Sequence, residues 1–134
     1  MYITLESDYA VRILIYMCKE NDRLGARAIS SATGVTQRFA LKILGKLTIG
    51  GIIKSYKGIY GGYIINKDPS TISLLDVIEI FEGEYCFSRC LKTSSDNKKE
   101  TWSECDDCKV KNVYSKITDL VRSELKQVTF DKLI

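Results

Sequence analysis

Two sets of residues in this chain have types and spacings that can do chemistry. The first is Cys86-x3-Cys90-x14-Cys105-x2-Cys108, four thiols within 23 positions. Deprotonated thiols hold soft metal centres, and such spacings serve iron–sulfur clusters and structural zinc alike. A structural disulfide is disfavoured in a reducing compartment. Neighbouring charge does not decide the ionisation state. Arg89, Lys92 and Lys109 favour thiolates, while Glu104, Asp106 and Asp107 oppose them. The fifth cysteine, Cys18, falls on the apolar face of an expected helix and reads as a small core residue.

The second set is basic. Between Arg23 and Lys67 there are eight Lys/Arg and no Asp/Glu, where average composition gives about five acidic residues. Residues 1–67 hold ten basic and four acidic side chains, a balance of +6. Residues 68–134 hold ten and thirteen, a balance of −3, which leaves the net charge of +3. A field of that sign attracts polyanions, nucleic acid first among them. Arg38, Lys42 and Lys46 are four apart and stack on one side of a helix. Gln37 stands at the N-terminal end of that helix. Gln can pair bidentately with adenine, and Arg with guanine. Further on, Lys54, Lys57 and Tyr60 surround Gly58, Gly61 and Gly62, glycines that permit a tight turn and close approach to a sugar-phosphate backbone.

Other chemistries are excluded early. The chain has no histidine, which removes Ser-His and Cys-His catalysis and any His-liganded metal. There is no phosphate-binding glycine loop before a helix and no paired carboxylate set, so an enzyme is not expected. The longest apolar run, Ile13 to Cys18, has six residues, against the roughly 20 that span a membrane. The opening residues lack a basic segment followed by an apolar core. A cytoplasmic protein without membrane contact is expected. With 134 residues, 45% apolar and 28% charged, the chain suits one domain, or one small domain plus an extension.

The elements that must position these residues follow from periodicity. A first helix is expected from Ser7 as N-cap, with Ala10, Val11, Leu14, Ile15 and Cys18 inward and Asn21-Asp22 as its stop. A short helix over Ala26–Thr33 places Ala28, Ile29 and Ala32 inward and ends at a left-handed Gly34. Thr36 caps a third helix with Ala40, Ile43, Leu44 and Leu47 inside, broken at Gly50-Gly51. Ile52–Tyr56 and Tyr63–Asn66 read as a hairpin. Ser73 caps a fourth helix bearing Leu74, Val77, Ile78 and Phe81, which ends at Gly83. A long helix from about Lys109 to Gln127 carries Val110, Val113, Ile117, Leu120, Val121, Leu125 and Val128 as an apolar stripe.

The fold class is therefore mainly α with a small β-hairpin: three helices and a hairpin in winged helix–turn–helix order. Ile29, Gly34, Val35, Ala40 and Ile43 stand where that motif needs core contacts and a tight turn. Ser30 replaces its usual small Ala. The third helix is expected in the major groove of double-stranded DNA.

The wing Ser55-Tyr56-Lys57-Gly58-Ile59-Tyr60-Gly61-Gly62-Tyr63 carries a family resemblance. With Ser7-Asp8-Tyr9-Ala10 and the ending Val128-Thr129-Phe130-Asp131-Lys132-Leu133, it resembles the bacterial IscR, NsrR and CymR type of transcription regulator. The resemblance spans nearly the whole chain. It implies a homodimeric winged-helix regulator, a repressor, acting on an operator, with the long C-terminal helix at the dimer interface. It implies a DNA-binding unit over 1–68, with 1–20 also at the dimer core, and a sensor and dimerisation region over 69–134. Lys57 stands where the family usually has Arg, which keeps a phosphate contact but weakens bidentate reading of a base.

Cluster-bearing members of that family place three cysteines between the fourth helix and the dimer helix. This chain has four there, with wider spacing, and Cys108 sits near the family's last cysteine. The resemblance thus favours an iron–sulfur cluster, 2Fe-2S or 4Fe-4S, on Cys86, Cys90, Cys105 and Cys108. Structural zinc and a thiol-disulfide switch are the alternatives. Asp8 matches an acidic ligand donated across the dimer in some members, but a first-turn helix residue is its simpler role. A small iron–sulfur electron carrier, the reading from another class, needs neither the helix–turn–helix nor the acid-free segment.

Overall fold

The computed structural model describes residues 2–88, 91 and 109–134. The first helix, α1, runs Leu5–Glu20. Its cap is Thr4 and not Ser7: Thr4 Oγ1 accepts from the Ser7 amide at 3.2 Å. Ser7 is instead fully buried and donates its hydroxyl to Glu82 Oε1 at 2.8 Å. Thr and Ser cap almost equally well, and the distant carboxylate decides which of them does. Asn21 closes the helix with φ 45°, a left-handed conformation that Asn tolerates.

The helix–turn–helix follows as α2 (Ala26–Thr33) and α3 (Gln37–Ile49). Gly34 makes the turn at φ 73°, where a side chain would be strained. Ser30 Oγ donates to the Val35 carbonyl at 2.6 Å across that turn, so the departure from Ala has a structural use. Ala28 and Ala32, expected inside, are both exposed, and α2 buries Ile29 and Thr33. Thr33 can be buried because its hydroxyl donates to the Ile29 carbonyl at 2.7 Å.

The wing consists of β1 (Ile53–Tyr56) and β2 (Gly62–Ile65), antiparallel, with Ile53 opposite Ile65 and Tyr56 opposite Gly62. Leu24 adds a one-residue bridge to Tyr63. A Cβ on Gly62 would lie 2.8 Å from the Leu24 carbonyl oxygen, so this strand passes too close for any other residue.

Ser73 and Asp76 form a reciprocal capping box on α4 (Leu74–Glu82), satisfying two amides that the first turn leaves open. The long α5 spans Lys109–Gln127. A single turn at Phe130–Lys132 follows, packed on α1, and Phe130 is fully buried in the core cluster. The described residues thus share one core between both halves of the chain.

Polar contacts fasten α5 to α4: Arg122 pairs with Glu79, and Lys126 Nζ stands 3.0 Å from Asp76 Oδ1. Its apolar stripe is only partly covered: Ile117, Val121, Leu125 and Val128 are half-buried. Val110, Val113 and Leu120 are 52–59% exposed, and Thr118 is its one buried residue. Among the described residues no helix is long and apolar enough to cross a membrane.

Candidate nucleic-acid interface and cysteine segment

The inner face of α3 fixes its outer one. Ala40, Ile43, Leu44 and Leu47 are all fully buried, and at about 100° per residue the opposite side must face solvent. Gln37, Arg38 and Lys42 are exposed there. Leu41, on the same side and 45% exposed, is an apolar group that helical periodicity alone assigned to neither face.

The three stacked cations are not equivalent. Arg38 makes no ion pair among the described residues. Lys46 Nζ lies 2.7 Å from Glu6 Oε1, with Lys42 Nζ at 3.7 Å from the same oxygen. Lys46 also stands over the Phe81 ring, 5.6 Å from its centroid. Contact with Lys46 lowers the Glu6 carboxyl below its ordinary value of 4.5; burial opposes that shift, and the two lysine charges add to it. Glu6 sits on α1, so the far end of α3 is tied back to the protein while its N-terminal end is open.

The wing presents Lys54, Lys57, Gly58 and Tyr60 on exposed backbone. Ile59 and Tyr60 are 97% and 85% exposed, an apolar tip that no core requirement explains. Asp8 is exposed and pairs with Arg12 one turn on, 3.7 Å away.

Of the four spaced cysteines, Cys86 is described; Cys90, Cys105 and Cys108 lie outside the described residues. Cys86 is half-buried and lines a 430 Å³ cleft with Tyr2, Ile3, Tyr85, Val121 and Leu125. The backbone beside it is anchored: the Tyr85 amide donates to Glu79 Oε1 at 3.2 Å, and the Phe87 amide to Thr118 Oγ1 at 3.0 Å. Among the described residues no three Cys, Asp or Glu converge as a metal site. Cys18 is buried in the core, and burial pushes its thiol up to about 11, which suits packing and not ligation.

The model of the Rrf2 family, iron-dependent transcriptional regulators, matches residues 3–134. The chain belongs to the Rrf2 family. Among its relatives is the HTH-type transcriptional regulator CymR of Bacillus subtilis, 26% identical over 120 residues, covering 88% of this chain and 86% of that one. Protein aau3 of Rhizobium meliloti is 32% identical over 93 residues, 69% of this chain; the match spans 60% of that relative's length. The solved structure of T. potens IscR superposes with a TM-score of 0.76 at 19% identity, covering 99% of this chain and 85% of that one. That likeness establishes the winged-helix fold, with its two-stranded hairpin and long C-terminal helix. The kinship read from the wing and the two ends therefore holds. As an Rrf2 protein, the chain is a transcriptional regulator with a DNA-binding role.

Proposed function

We propose that this Rrf2 protein is a homodimeric repressor whose affinity for a double-stranded DNA operator is set by a metal centre on its cysteine segment. The observation that carries the DNA half is the open N-terminal end of α3, where Gln37, Arg38 and Leu41 face solvent over a fully buried inner face. Gln37 and Arg38 read base edges, Leu41 meets a thymine methyl, and Lys42 reaches phosphate. Lys46 supports the same field from behind its bridge to Glu6. Lys54, Lys57, Gly58 and Tyr60 follow the backbone from the wing. Residues 1–68 act as the DNA unit; residues 69–134 sense and dimerise, with 1–20 packing beside them.

The exposed part of the α5 stripe, Val110, Val113 and Leu120, with Tyr2, Ile3 and Leu5 at 96%, 46% and 59% exposure, is the face a second copy would bury. Exposed apolar area of this kind marks an interaction surface. Cys86, Cys90, Cys105 and Cys108 would hold an iron–sulfur cluster. The donor set, four thiols and no histidine, suits it, as does the family's description as iron-dependent. Such a cluster supplies an oxidisable cross-link between α4 and α5. Its loss would free the segment and alter the spacing of two recognition helices that must meet half-sites about 34 Å apart. Coupling between such sites is typically about 1–3 kcal/mol.

The test is an anaerobic absorption spectrum with iron and zinc quantified per chain, repeated on Cys105→Ala/Cys108→Ala. Visible colour and iron lost in the variant are expected. Unchanged colour and iron overturn the cluster. Zinc in place of iron, or oxidisable thiols without metal, selects the corresponding alternative. A gel shift that weakens steeply with salt checks the DNA half.

A further inference from the structure

We infer that Arg23 is the positioning residue of the wing: it holds the hairpin in its DNA-binding posture through Tyr56 and the Tyr60 carbonyl, without itself touching phosphate. This rests on the wing being a DNA contact. By sequence Arg23 is merely the first cation of the acid-free segment. In the fold its guanidinium lies 3.9 Å from the centroid of the Tyr56 ring, on β1. The same guanidinium donates from Nη1 to the Tyr60 carbonyl at 2.7 Å, across 37 residues of chain. One planar group therefore grips the wing at two places, the loop-proximal end of its first strand and the tip loop itself.

The adjoining backbone makes the grip stiff. Leu24, the next residue, exchanges two hydrogen bonds with Tyr63, its amide donating at 2.9 Å and its carbonyl accepting at 2.8 Å. Arg23 Cγ lies 3.1 Å from the position a Cβ on Gly62 would take. The Arg23 amide is itself bound by Asp22 Oδ1 at 2.7 Å. The guanidinium thus departs from a fixed stem.

Without it, the hairpin keeps its ladder, but Gly58–Tyr60 has no side-chain anchor on the rest of the domain among the described residues. A two-stranded hairpin is marginal alone, and the glycines at its tip add freedom that binding would have to remove. Holding it in place beforehand lowers that cost. Lysine cannot substitute, because the contact needs a flat cation that stacks and donates at once.

The experiment compares wild type, Arg23→Ala, Arg23→Lys, Tyr56→Leu and Lys57→Ala. Binding is measured over a salt series, on a duplex enriched by the wild type from a random-sequence library. Amide hydrogen exchange at Gly61, whose N–H donates to the Gly58 carbonyl at 2.9 Å, reports wing order without DNA. Arg23→Ala, Arg23→Lys and Tyr56→Leu should each speed exchange at Gly61 and weaken binding by about tenfold. Their salt slope should match the wild type. Lys57→Ala should leave exchange unchanged and lower the slope by about one, as loss of a phosphate contact does. A slope lowered by about one in Arg23→Ala with Gly61 still protected overturns the proposal, since Arg23 would then be a phosphate contact. Unchanged exchange in Arg23→Ala overturns it whatever the binding does. If no duplex is enriched, the DNA reading fails, while the exchange comparison still decides whether Arg23 orders the wing.

Discussion

Ser30 shows how a single residue can depart from a motif without damaging it. Its hydroxyl reaches the Val35 carbonyl across the turn, so Ala would restore the usual residue and remove a bond. Ser30→Ala should cost about 1 kcal/mol, read as a lower urea midpoint with unchanged slope. Glu6 is the second instance. Its folded pKa lies below 4.5, chiefly through Lys46. A depressed carboxyl contributes stability above its unfolded value and loses it as pH falls through the folded one. Unfolding curves below about pH 4.5 should therefore be flatter in Glu6→Gln than in wild type. The same change releases Lys46 and Lys42, and the salt slope of DNA binding should steepen by about one. The lysines were visible as a stripe; their sharing of one carboxylate was not, because Glu6 is 40 residues from Lys46 and belongs to another helix.

At the scale of elements, the joint between the start of α1 and the end of α4 matters most. Glu82 Oε1 accepts from the Thr4 amide at 2.5 Å and from Ser7 Oγ at 2.8 Å. Its negative charge also sits at the positive end of the α1 dipole. Four residues later comes Cys86, so the end of α4 stands between the first of the spaced cysteines and the helix that carries Glu6. Glu82→Ala should destabilise the fold by about 1–3 kcal/mol, since buried Ser7 would lose its acceptor; a chemical melt followed by circular dichroism checks this. The cap of α4 was legible as Ser73 before an apolar run; its reciprocal partner Asp76 came from the fold. The start of α1 was not, because Thr4 and Ser7 carry the same local signal.

Taken as a whole, the molecule closes its core with its own tail. Phe130 is fully buried in the core beside α1, and the Phe130 amide donates to the Ile72 carbonyl at 3.0 Å. Phe130→Ala should cost about 3–5 kcal/mol, enough to threaten folding of the DNA unit itself; calorimetry would show a large fall in Tm. The stripe on α5 has the opposite character, leaving Val110, Val113 and Leu120 apolar and exposed. Leu120→Glu should leave the melting of the monomer unit nearly unchanged and shift sedimentation from dimer to monomer. A variant that remains dimeric would place the proposed interface elsewhere.

The chain by itself determined its helices, its turn, its wing and its four-thiol spacing. All of these are set by neighbours within a few positions: periodic apolar residues, caps, and glycines at φ that others avoid. Only the tertiary structure decided which cap starts α1, which face of α2 is buried, that Lys46 is tethered, and that Arg23 grips the wing. Each of those depends on a partner 37 to 78 residues away or on which side of a short helix meets the core. Such pairings are chosen by packing and electrostatic fit in three dimensions, and no local spacing encodes them.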